Sequence, residues 1–153
     1  MSPVPLMAFL HHLAAFTVVS CLVGEVLLLR PPLSAGQARR LLRIDAVFGI
    51  SATALLVIGL LRVQFFEKGP AYYWHDLFFL IKLGAFLLAA LISIYPTLTF
   101  LSWRQGLRLD TPPEISPRRL RRVRMCMMWE LTAIVVILAC AALMARGFGY
   151  FGD

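Results

Sequence analysis

Two adjacent histidines, His11 and His12, lie in an apolar run that contains no Lys or Arg. Lys82, one of only two lysines in the chain, sits in a second such run. Three carboxylates, Glu25, Asp45 and Glu130, occur within or at the edge of apolar runs. Ionisable groups are expensive in such surroundings and are retained where they bind something, move charge or pair with one another. A neutral imidazole ligates iron, and apolar walls around it exclude water, so histidines inside a helical bundle suit axial ligation of haem. No C-x-x-C-H motif occurs, so a haem here is expected to be non-covalent, of the b type, with His11 or His12 on the iron. Lys82 suits either a fixed cation for a carboxylate or a neutral amine ligand. His75, seven residues before Lys82, is expected on the same helical face and joins the cofactor-binding candidates. Glu25, Asp45 and Glu130 are candidates for proton handling.

Each of these residues also has a purely structural reading. Lys82 is near enough to a helix end to snorkel to the interface. A lone interior histidine is commonly satisfied by a backbone carbonyl. The three acids are expected to be able to pair with Arg30, Arg43 and Arg124, and Asp45 is expected to be nearly interfacial.

Long apolar elements must position these groups. The chain has 153 residues, of which 60% are hydrophobic and 15% charged, with a mean hydropathy of +0.80. A soluble domain of this size would leave a large adhesive surface, whereas a bilayer acts as solvent for it. About 20 apolar residues span a bilayer. Four spans are expected, at about 6–29, 45–62, 77–101 and 125–145, within one transmembrane domain covering 1–153. The fold class is therefore an all-α, integral membrane four-helix bundle. The second span is the shortest, which hints at packing against a partner or a second copy. Pro96 is expected to kink the third span. The first run has no preceding positive charge and no small-residue cleavage site, so a cleaved signal peptide is not expected.

The charges predict sidedness. Of the 15 basic residues 13 are Arg. They gather in the first connection (Arg30, Arg39, Arg40, Arg43) and the third (Arg104, Arg108 and the run Arg118–Arg124). The second connection has Lys68, with Arg62 at its edge. The positive-inside rule puts the first and third connections in the cytoplasm and both termini outside, in a bacterial inner membrane. The net charge of +7 punctuates apolar runs instead of forming a soluble basic domain. Anionic lipid head groups, not nucleic acid, are thus the expected partner. The cluster Tyr72, Tyr73 and Trp74 fits an outer interfacial belt. Cys21, Cys126 and Cys140 lie inside apolar runs as small packing residues, without disulfide or zinc spacing.

Sidedness sorts the polar groups into two layers. His11, His12 and Lys82 fall in the outer half, about two turns in, and Glu25, Asp45 and Glu130 fall toward the cytoplasmic half. At about 100° per residue, His11 and Glu25 share a stripe with Ala14, Val18 and Leu22, whereas His12 points about 100° from His11. The two histidines are therefore not expected to converge on one central ligand. Asp45, Gly49, Ala52 and Gly59 form a small-residue stripe that permits close helix packing.

Several residues carry a resemblance. They are His11-His12, Glu25 with Leu29-Arg30, Arg62 before Glu67-Lys68-Gly69, then Tyr73, His75, Phe79, Lys82, Pro96 and Glu130. Over nearly its full length the chain resembles a domain-of-unknown-function family of small bacterial membrane proteins. More distantly it is similar to the superfamily holding the quinone-linked, haem-containing membrane protoporphyrinogen oxidase and the copper-resistance protein D. That oxidase has a first-span His, a third-span Lys and an Arg-rich fourth-span start followed by Glu. The matching positions are His11 or His12, Lys82, and Arg122 or Arg124 with Glu130. The Trp-Phe and Gly-Leu pattern that follows the His there does not follow His12, and Leu131-Thr132 stand where it has a Pro after the Glu. The resemblance implies a four-helix fold and a haem pocket.

Three functions compete. The first is haem b binding with electron transfer or membrane oxidoreductase chemistry, linking a small substrate such as a tetrapyrrole to quinone. The second is a metal- or proton-handling transporter, with Met7, Met125, Met127, Met128 and Met144 as soft ligands. No repeated His-Met ligand pattern supports it, and four spans are few for alternating access. The third is an accessory membrane subunit without a cofactor.

Overall fold

The structure is a computed structural model that describes residues 3–66 and 69–152. Glu67 and Lys68, which enter the charge pattern and the resemblance above, lie outside the described residues. Four long helices dominate: α1 (Pro3–Leu28), α2 (Ala35–Leu61), α4 (Leu77–Leu101) and α6 (Pro117–Ala145). A π-helical segment, Arg62–Phe66, continues α2, and two short helices, α3 (Pro70–Trp74) and α5 (Arg104–Arg108), lie in the connections. Among the described residues four stretches are long and apolar enough to cross a membrane: Val4–Leu28, Ala35–Phe66, Leu77–Arg108 and Pro117–Ala145. The side chains facing away from the bundle, such as Phe16, Ile50, Leu91 and Val135, are apolar and largely exposed, as lipid-facing residues are.

Local signals explain the boundaries. Ser34 caps α2 in a reciprocal box with Gln37, which satisfies amide groups that a helix start leaves open. The cap starts α2 well before Asp45, so Asp45 lies inside the helix and is buried in the bundle, 5% exposed. With its π-helical continuation this second element is also not short, which removes the length argument for a partner. Ser116 caps α6 with Pro117 in its first turn, where proline's missing N–H costs nothing. Asp76 caps α4 through the Phe79 amide at 3.1 Å. α4 continues through Pro96 as one helix.

α1 packs along α2 and α4 along α6, and the two pairs meet through α2 with α4 and α1 with α6. The buried positions on α1 are Val18, Leu22 and Glu25, with Leu29 just beyond it; on α2 they are Ala38, Leu41 and Asp45. This three-and-four spacing is the inward stripe of a bundle helix. The main apolar cluster lies wholly at the Arg-rich, or basic, end. There Leu22, Leu29, Leu41, Phe100, Val123 and Met127 are fully buried, with Trp103 and Leu107 closing beneath them. At the opposite, aromatic end, the C-terminal segment is tied down by backbone bonds from Leu77 to Gly149 and from Phe151 to His75, both 2.9 Å. Tyr72 stacks on Tyr150 there at 4.7 Å.

Candidate functional site

A cavity of about 320 Å³ opens between the helices at the aromatic end. His11 and His12 reach it from α1, Gly59 and Arg62 from the end of α2, Tyr73 from α3, and Lys82 from α4. Apolar walls come from Leu55 and Leu56 of α2, Phe79 and Phe86 of α4, and Ile137 and Leu138 of α6. The cavity exists because small residues replace bulk here. Gly59 carries no side chain where a Cβ would come within 3.2 Å of His11 Cε1, and Ala15 and Ala141 complete the lining. Gly49, from the same small-residue stripe, faces open space.

The two imidazoles are held differently. His12 Nδ1 lies 2.6 Å from the Ala8 carbonyl one turn earlier. Nδ1 therefore carries the proton and donates it, which in the neutral ring leaves the lone pair on Nε2. His11 is half-buried against Gly59, and its Nδ1 is buried without a hydrogen-bond partner. The ring centroids are 6.1 Å apart with planes at 88°. Both rings thus border one cavity, at different orientations. Lys82 Nζ lies 5.5 Å from the Phe79 ring centroid, a cation–π contact. Arg62 and Lys82 are both within electrostatic reach of His11. The cavity therefore brings together two imidazoles, two basic side chains and apolar walls.

His75 is not part of this arrangement. It follows the end of α3, before α4 begins at Leu77, so the helical repeat that would align it with Lys82 does not run through it. Its Nδ1 bonds to the Ala71 carbonyl at 2.7 Å, and its ring meets Phe151 edge-on at 5.9 Å.

The three carboxylates form a second polar layer, on the far side of Val18 and Leu22. Glu25 and Glu130 are 2% and 3% exposed. Both they and Asp45 are near enough for their charges to interact. Thr97 of α4 donates to Asp45 Oδ1 at 2.7 Å, whereas Glu25 Oε1 and Glu130 Oε1 have no hydrogen-bond partner. The arginines expected to neutralise them point elsewhere. Arg124 donates to the Leu29 carbonyl at 3.0 Å, and Arg30 and Arg43 are exposed. A guanidinium on a helix end gains more from an open carbonyl and water than from entering the apolar interior.

The sequence marks Arg62 as a loop-edge charge and Tyr73 as an interfacial aromatic, both also within the resemblance, and Gly59 as a packing residue, and places none of them at a cavity. Asp76, fully buried with Oδ2 unpartnered, was missed; its signal was an Asp three residues before Phe79 at the start of an apolar run. The three cysteines are free thiols. Among the described residues no group of three or more His, Cys, Asp or Glu is arranged to hold a bare metal ion.

No curated protein and no solved structure is detectably similar to the chain. Residues 5–149 match a family described as predicted membrane protein, DUF2214. The match covers nearly all of α1 through α6, so the four apolar helices, the cavity and the carboxylate layer all fall within it, and the chain belongs to the DUF2214 family of membrane proteins.

Proposed function

We propose that this membrane protein binds haem b in the aromatic-end cavity and acts in electron transfer or membrane oxidoreductase chemistry. The observation that carries the reading is His12, a cavity-lining residue whose Nδ1 is held on the Ala8 carbonyl, which in the neutral ring puts the lone pair on Nε2. A ligating histidine oriented through its other ring nitrogen is the usual arrangement at metal centres. The donor set fits the cofactor: imidazole for iron, Lys82 and Arg62 for acidic substituents, and leucine and phenylalanine walls for a flat apolar body. When bound, haem iron supplies reversible one-electron chemistry.

The chain's own residues set the conditions for it. His12 in its neutral form would offer iron a lone pair from a ring already oriented through Nδ1. Lys82 and Arg62 offset negative charge at the mouth of an apolar site. Phe79, Phe86 and Leu55 keep water from the interior. The positive-inside rule supports a cytoplasmic basic end, with the cavity then in the outer half of the bilayer. From there a lipid-soluble partner of the quinone class, or a tetrapyrrole substrate, has access through the membrane.

The test is the absorbance of detergent-purified full-length protein, oxidised and then dithionite-reduced, before and after haem is supplied. A stoichiometric b-type spectrum that His12→Ala abolishes and His75→Ala preserves supports the reading. A wild-type protein that stays colourless with haem supplied overturns it.

A further inference from the structure

The carboxylate layer has a role of its own, separate from the cavity. Glu25 on α1, Asp45 on α2 and Glu130 on α6 converge on one level of the bundle interior, and each is at least nineteen-twentieths buried, at 2%, 5% and 3% exposure. Two of their oxygens, Glu25 Oε1 and Glu130 Oε1, come from different helices and accept no hydrogen bond. A buried carboxylate without a donor is among the costliest groups a protein can hold, and three ionised carboxylates at one level would also repel one another. Something positive must resolve this arrangement.

The groups facing the layer from each packed element do not supply it. From α1 Cys21 lies within reach of Glu25, and from α6 Cys126 lies within reach of Glu130. α4 contributes the Thr97 hydroxyl, which is spent on Asp45. Arg124 is committed to the Leu29 carbonyl, and the Arg62 and Lys82 cations belong to the cavity. The described carboxylates are not arranged to ligate a metal ion. A proton needs no coordination shell, and it turns an unpartnered carboxylate into a neutral acid that the apolar interior tolerates.

We propose that Glu25, Asp45 and Glu130 form a buried proton-binding site in which Glu25 and Glu130 are carried as neutral carboxylic acids, storing exchangeable protons inside the membrane. The site lies on the basic side of the Val18 and Leu22 plug. Glu25 is about 15 Å along α1 from Ala15, the deepest cavity-lining residue of that helix, at 1.5 Å per residue. The assignment stands on the carboxylates alone, so a protein that binds no haem leaves it intact.

Infrared difference spectroscopy of the purified full-length protein at neutral pH, in H₂O against D₂O, tests it. The expected result is a carboxylic C=O band that shifts on deuteration. Glu25→Gln and Glu130→Gln should each remove part of the band. Asp110→Asn, which alters the exposed ion pair with Arg39, should remove none. Asp76→Asn identifies any contribution from the other buried acid, at the aromatic end. Glutamine is isosteric with a neutral acid, so both Gln variants should fold with unchanged thermal midpoints. The proposal is overturned by a wild-type spectrum without such a band, by a band that survives in both Gln variants, or by a band that sodium chloride abolishes. The last outcome would identify the site as one for a monovalent cation. Should a Gln variant fail to accumulate, Asp76→Asn with and without sodium chloride decides: a deuteration-sensitive band that persists in both supports the site, and its absence or its loss to sodium overturns it.

Discussion

The two ends of this bundle use the same four helices in opposite ways. At the basic end Leu22, Leu29, Leu41, Phe100, Val123 and Met127 meet with no exposed surface, and α5 folds back so that Trp103 and Leu107 seal the base. At the aromatic end the same helices separate around a cavity of about 320 Å³, with Phe79 and Cys140 as its buried apolar residues. Lipid tails are as apolar as leucine, so close packing and not burial as such holds membrane helices together. The well-packed end is therefore where stability is concentrated. The open end is where imidazole, lysine and arginine side chains line a cavity between apolar walls.

The largest expected effect tests that division directly. Phe100→Ala, which removes a fully buried ring from the packed end, should cost about 3–5 kcal/mol in denaturant unfolding in detergent. Phe86→Ala, a cavity wall, should cost less than half as much, since space already borders it. Equal losses would end the claim that stability resides at the basic end. Next in size, His12→Ala should weaken haem retention by roughly tenfold or more while leaving the thermal midpoint near that of wild type, as read by absorbance and melting on one sample. A parallel loss of fold would mean the histidine is a packing residue.

Gly59→Ala sharpens the comparison further. The added Cβ would stand 3.2 Å from His11 Cε1, so the ring must move by a few tenths of an ångström. Replacing an interior helical glycine gains up to about 1 kcal/mol. The variant should therefore melt at or above the wild-type temperature while the His11 imidazole resonances shift in NMR spectra. An unmoved His11 would count against a tight α1–α2 approach. The smallest effect is expected for Arg39→Ala. Its 2.6 Å pair with Asp110 is partly to largely exposed, at 43% and 77%, and such pairs contribute about 0–1 kcal/mol. The loss should shrink further with added salt.

The four membrane helices were legible because hydropathy over about 20 residues is a one-dimensional property. The helical repeat also gave the inward stripe of α1, since Val18, Leu22 and Glu25 depend only on a single helix staying regular. The start of α2 was harder to read because charged residues precede Asp45, and only the Ser34–Gln37 cap marks the true beginning. His75 misled because the phase argument assumed one helix where α3 ends and α4 starts anew. Arg124, Arg30 and Arg43 looked like partners for the acids because sequence gives nearness along a helix but not where a side chain turns.

The sequence by itself determined that this is a membrane chain with four apolar helices, Arg-rich connections at one end, and a few ionisable groups in two layers. Those properties follow from transfer free energies and from a fixed rise per residue, which need no neighbours. Tertiary structure alone decided that His11, His12, Arg62, Tyr73 and Lys82 share a cavity, that His75 does not, and that Glu25, Asp45 and Glu130 meet without an arginine. Each of those outcomes depends on the rotation of one helix about its axis relative to another, and that rotation is set by which side chains interlock at the packed end.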